Sequence, residues 1–224
     1  MTTETITINR PDDMHVHFRE MARMASVVYH TAKQFGRAIV MPNTNPFILT
    51  VNDAAQYREQ ILASVSVGVH FEPLMTLYLQ TTMSPETIRA AKRSGFVHGI
   101  KMYPHGATTN SHGGVVNVAD VTEQLRVMEA VDMPLLIHGE SADALVDVFH
   151  REHVFYRTAF EWLTTTFPKL RIVFEHITTA EAVNWIMEAA KHLRIGATIT
   201  PQHLLENRKS KLPTWRYASS TRFL

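Results

Sequence analysis

Seven short apolar segments of strand length, at residues 12–19, 37–42, 71–79, 98–104, 134–140, 171–177 and 195–201, alternate with stretches that carry helical spacing. Such alternation calls for parallel strands, because each helix must return the chain to the end of the sheet where the previous strand began. The strands read as near-continuous apolar runs, such as Ala38-Ile39-Val40-Met41 and Leu135-Leu136-Ile137, as expected when both faces of the sheet are covered. Between them, residues 51–64 and 118–130 have amphipathic spacing, and in the second Val121, Leu125 and Met128 share one face. Asn52, Ser84 and Thr179 stand where N-caps would open three helices, with Pro85 suited to a first turn. On pattern alone, an open doubly wound α/β sheet and a closed (β/α) barrel both fit.

Charge divides the chain near its end. From Glu206 to Leu224 there are five basic residues and one acid, whereas the chain as a whole holds 22 Lys plus Arg against 21 Asp plus Glu. The reading is one domain over 1–205 and a basic tail over 206–224, with no eighth strand expected in the tail. The near balance of charge gives no ground for a nucleic-acid partner, and no stretch approaches the roughly 18 apolar residues of a membrane span. The N-terminus lacks the basic-then-apolar pattern of an export signal, so a cytoplasmic location and a small-molecule partner are expected. There is no cysteine. Metal chemistry would therefore fall to histidine, carboxylate or a modified side chain.

Thirteen histidines make that option concrete. His15 and His17 are two apart, and the two-residue period of a strand turns both imidazoles to one face. His138 closes Pro134-Leu135-Leu136-Ile137 and His176 closes Ile172-Val173-Phe174-Glu175, so both stand at C-terminal strand ends, the catalytic rim of a (β/α) barrel. Lys101, within Gly99-Ile100-Lys101-Met102-Tyr103-Pro104, points either to the helix layer or to the lumen. A snorkelling side chain is the plain alternative for the lysine, and satisfied core histidines for the others. A lysine carbamylated by carbon dioxide would be an anionic ligand able to bridge two divalent ions, and its formation needs the neutral amine that burial favours.

With His-x-His on strand one, Lys on strand four, and His ending strands five and six, the chain resembles the amidohydrolase superfamily, and more narrowly the bacterial single-function dihydroorotases. The resemblance runs from Arg10-Pro11-Asp12-Asp13-Met14-His15-Val16-His17-Phe18-Arg19 through Met41-Pro42-Asn43, Lys101-Met102-Tyr103-Pro104, Ala107-Thr108-Thr109-Asn110-Ser111, Ile137-His138-Gly139-Glu140 and Glu175-His176-Ile177-Thr178-Thr179 to Thr200-Pro201-Gln202-His203. It implies a TIM-type barrel with seven of eight strand–helix units present, and zinc-dependent, reversible hydrolysis of the cyclic amide of dihydroorotate to carbamoyl aspartate in pyrimidine synthesis. It further implies two zinc ions: His15 and His17 on one, His138 and His176 on the other, and carbamylated Lys101 between them. Arg19 and Asn43 match the substrate-carboxylate binders, and Thr108 and Thr109 a mobile covering loop. His203 carries no chemistry in this reading and is expected to pack a loop. A homodimer is compatible with the resemblance. The family's Gly-Thr-Asp-Ser-Ala-Pro-His segment, whose Asp binds zinc and moves the proton, is absent from these 224 residues. Truncation before strand eight is the expectation, with an impaired metal-binding remnant or another cyclic amidohydrolase as alternatives; Glu140 and Glu175 are the carboxylates that would have to replace the Asp.

Overall fold

The computed structural model describes residues 5–20 and 22–206. Its elements alternate as the sequence predicts: β1 (Asp12–Val16), α1 (Ala22–Gln34), β2 (Arg37–Val40), α2 (Val51–Ala63), β3 (Glu72–Tyr78), α3 (Pro85–Ser94), β4 (Val97–Met102), α4 (Thr122–Ala130), β5 (Leu135–His138), α5 (Arg151–Phe155), α6 (Glu161–Thr166), β6 (Ile172–Glu175), α7 (Ala180–Ala189), β7 (Ile195–Ala197) and α8 (Pro201–Leu205). A π-helical turn, Tyr156–Phe160, joins α5 to α6. All six strand pairs are parallel.

The strands lie in the sheet in chain order, β1 to β7. A doubly wound sheet reverses its order at a switch point; this one never does. In a flat sheet β1 and β6 would stand about 24 Å apart, five spacings of about 4.8 Å. Yet the rings of His15 on β1 and His176 just after β6 have centroids 5.3 Å apart. The sheet is therefore curled, and the fold is a seven-stranded (β/α) barrel in which β1 and β7 form the edges among the described residues. From residue 207 onward the basic tail lies outside the described residues, and with it the expectation about an eighth strand. No helix among the described residues is long and apolar enough to cross a membrane.

Alternation along each strand sorts side chains between two environments. Ala38, Val40, Met75, Leu77, Ile100, Met102, Leu135, Ile137, Ile172 and Phe174 join the core under the helices, together with Val121, Leu125 and Met128. Their neighbours turn to the lumen: Thr76 and Tyr78, Lys101 and Tyr103, Leu136 and His138, Val173 and Glu175. The register places Lys101 between Tyr78 and Leu136 and sets His138 beside Glu175.

Ser84 and Thr179 cap α3 and α7 as expected, accepting from Thr87 N and Ala182 N. The cap of α2 is Thr50 rather than Asn52. Asp53, three residues after Thr50, accepts from the Thr50 N–H while Thr50 accepts from Asp53 N, a reciprocal box that Asn52 could not form. His203 lies exposed on α8, a five-residue helix with no buried residue.

Candidate functional site

The C-terminal end of the lumen gathers the five predicted side chains. Lys101 is fully buried, with Nζ on Oε2 of Glu175, itself 2% exposed. Buried lysines need a counter-ion, and curling of the sheet brings one from two strands away. Burial pulls the Lys101 amine down from its usual range, with Glu175 opposing. Burial also pushes the Glu175 carboxyl up, but Lys101 and His15 outweigh it and hold it low. The snorkelling alternative for Lys101 is thus excluded.

The histidines stand in two pairs. His15 Nε2 lies 3.1 Å from His17 Nε2, and His138 Nδ1 lies 3.1 Å from His176 Nε2. The pairs meet where the His15 and His176 rings make an edge contact. Burial first, and then the neighbouring cations, hold His17 down to about 3 and His176 lower still. Burial also lowers His138, against the pull of Glu140. Lowered in this way, His17, His138 and His176 favour the neutral form, which has a lone pair to donate.

Two imidazole nitrogens on one tetrahedral zinc at about 2.0–2.1 Å stand about 3.3 Å apart, close to the 3.1 Å seen in each pair. His15 Nδ1 and Glu175 Oε1 are buried without a hydrogen-bond partner, although they lie 3.0 Å apart. The donor set suits divalent ions, but the centre is not assembled: among the described residues no three His, Cys, Asp or Glu side chains surround a common point. Each pair offers two nitrogens, and Lys101, the group lying between the pairs, is turned onto Glu175.

Around this cluster runs a stack of rings, from His112 through Phe47, Tyr78 and Tyr103 to His138. Tyr103, whose ring underlies Lys101 Nζ at 5.1 Å, has a buried hydroxyl without a partner. Sequence reading missed Tyr103 as a site residue and Glu175 as the partner of Lys101. Strand alternation alone would have put both on the Lys101 and His138 face.

Arg19 follows β1 with φ 61°, and Tyr57 Oη donates to its carbonyl. His176 has φ 45°. Non-glycine residues with positive φ are uncommon and cluster at functional rims. The Arg19 charge helps to lower His17. Asn43 is buried and tied to the predicted covering loop: its Nδ2 donates to Thr109 O at 3.0 Å, and Asn110 Nδ2 donates back to Asn43 O at 2.9 Å. Thr108 is half-buried, with its N–H on Ser111 Oγ, while Thr109 is exposed. The loop closes on itself at Gly114, where a Cβ would come within 2.4 Å of Tyr103 O. An open cleft of about 740 Å³, lined in part by Met102, His105, Glu140, Phe155 and Trp162, borders the cluster at Glu140, and His15, His17, His138 and His176 are not among its lining residues.

No family model matches the chain. Over 208 residues, 93% of the chain, it is 52% identical to a dihydroorotase of Ralstonia pickettii (strain 12J), of which it covers 60%. Over 203 residues, 91% of the chain, it is 55% identical to a dihydroorotase of Microcystis aeruginosa, of which it covers 58%. Among solved structures, a dihydroorotase from Campylobacter jejuni superposes with a TM-score of 0.83 at 33% identity, over 92% of this chain and 58% of that one. A Saccharomyces cerevisiae dihydroorotase in complex with 5-fluoroorotic acid gives 0.81 at 28% identity, over 89% and 58%. The chain spans about 60% of the length of the curated relatives it matches.

Proposed function

The chain is related to the dihydroorotases over about three fifths of their length, and on that premise we propose that it carries most of the active site for zinc-dependent, reversible opening of the cyclic amide of dihydroorotate. The observation that carries the reading is the meeting of His15, His17, Lys101, His138 and His176 at one end of the lumen, with a lysine held at zero exposure.

In this reading His15 and His17 hold one ion, and His138 and His176 the other. Lys101, as the neutral amine that burial favours, takes up carbon dioxide at Nζ with loss of a proton and leaves its contact with Glu175 to face both pairs. Two bound zinc ions would supply a water acidic enough to act as nucleophile near neutral pH and would polarise the ring carbonyl. Arg19 presents a guanidinium fork to the substrate carboxylate. Asn43 keeps one amide hydrogen for the same carboxylate while the other holds Thr109. The Thr108–Thr109 loop, anchored on Asn43, excludes water from above. Pairing Arg19 with the loop favours a carboxylate-bearing ring over an uncharged cyclic imide. Activity in pyrimidine synthesis follows from the same reading.

Five of the six ligands that the resemblance implies are present; the Asp that moves the proton is not among these 224 residues. Metal binding and turnover should therefore separate. The test is a ring-opening assay on the zinc-loaded chain at neutral to mildly alkaline pH, beside a full-length relative. Turnover should fall by about 10²–10⁴-fold, the usual contribution of a positioned acid–base group. Equal turnover would refute the mechanism and point to another carboxylate, Glu140 or Glu175, as the replacement base.

A further inference from the structure

We infer that Glu175 and Glu140 are positioning residues that fix opposite ring tautomers in the two histidine pairs, Nδ1–H in His15 and Nε2–H in His138. Each pair is thereby left with a bare nitrogen facing its partner histidine. The inference gives the zinc-binding reading its chemistry and rests on that reading for its purpose, though not for its test.

A neutral imidazole has one N–H and one lone pair, and an ionised carboxylate can only accept. The nitrogen that faces a carboxylate is therefore the one that carries hydrogen. His15 Nδ1 faces Glu175 Oε1 at 3.0 Å, and neither atom has another partner. Joining the two satisfies two buried groups whose isolation is costly. His15 Nε2 is then bare, and it is this atom that meets His17 Nε2 at 3.1 Å. Without metal, His17 supplies the hydrogen between them.

The second pair is arranged in reverse. His138 Nε2 meets Glu140 Oε1 at 2.7 Å, so Nδ1 is bare, and Nδ1 is the atom that meets His176 Nε2 at 3.1 Å. The inversion follows from where each carboxylate comes from. Glu175 reaches His15 across the lumen from β6, whereas Glu140 stands two residues beyond His138 on the same run of chain and meets the outer nitrogen. Glu175 has a further duty: Oε2 holds Lys101 while Oε1 addresses His15, so one carboxylate sets both a ligand tautomer and the lysine's position. Carboxylates behind metal-binding histidines act in this way generally.

The test uses the 224-residue chain labelled with ¹⁵N-histidine and freed of metal, with two-bond ¹H–¹⁵N correlation reporting the tautomer of each ring. The parent should show His15 protonated on Nδ1 and His138 on Nε2. Glu140→Ala should release His138 into a mixture of tautomers, leave His15 unchanged, and weaken one of two zinc sites by about 10–100-fold in competition with a chelator. Glu140→Gln, which keeps an acceptor, should recover most of that affinity. Glu175→Ala should release His15 in the same way and leave His138 as it was. His138 protonated on Nδ1 in the parent, or unmoved in tautomer and zinc affinity by Glu140→Ala, would overturn the inference. Correct tautomers with no zinc bound would sink the metal reading alone, and zinc bound to the opposite tautomers would sink this inference alone.

Discussion

Removing one member of the buried Lys101–Glu175 pair should cost far more than removing both. Each side chain is essentially unexposed, so Lys101→Met leaves a carboxylate and Glu175→Gln an amine with no neutralising partner in the lumen. Breaking a buried pair from one side typically costs about 3–5 kcal/mol, whereas replacing both charges with neutral groups of similar volume is close to neutral. Against a domain stability of about 5–15 kcal/mol, either single change removes a fifth or more. At this chain length that corresponds to a melting temperature lower by about 6–20 °C. The double variant should recover most of it, with a coupling energy of at least about 2 kcal/mol in the cycle. Urea denaturation of the metal-free protein, followed by circular dichroism with chelator present, measures all four corners. Additive losses would show that the two charges do not sense each other, and the lumen-facing placement of Lys101 would have to be abandoned.

Gly114→Ala should loosen the Thr108–Thr109 loop, because the added Cβ would sit 2.4 Å from Tyr103 O; faster hydrogen exchange at Val115, whose N–H bonds that same oxygen at 2.8 Å, and a stability loss of about 1–3 kcal/mol would show it, and parental exchange would refute it. Asp132, half exposed at the opposite face of the barrel, receives Arg171 and Arg194 at 2.9 Å each and has φ 55°. Asp132→Asn, which tolerates that backbone, should cost less than about 1 kcal/mol and lose even this in high salt, while Asp132→Ala should cost about 1 kcal/mol more from the left-handed conformation; equal effects in denaturation would contradict the assignment.

Strands and helices were legible because period and capping are local. The six turns of chain between β1 and β7 could be placed from apolar runs alone, and Ser84-Pro85 marked its helix start because nothing nearby competed. At α2 two cap-type residues, Thr50 and Asn52, competed, and the choice was made by Asp53, whose reach back to Thr50 is visible only when the box is considered whole. That Lys101 enters the lumen follows from its place among Ile100 and Met102, which the core takes. Its partner does not follow in the same way: Glu175 is 74 residues away, and the contact exists because the sheet curls. The same curling makes neighbours of His15 and His176.

In the proposed reading this chain's two histidine pairs and Lys101 form one divalent-metal centre. Crystals grown with zinc and bicarbonate, measured at the zinc absorption edge, test it directly. One anomalous peak should stand at His15 and His17 and a second at His138 and His176, with density for a carboxyl group on Lys101 Nζ between them. Zinc bound elsewhere, with Lys101 still paired as an ammonium to Glu175, would contradict it.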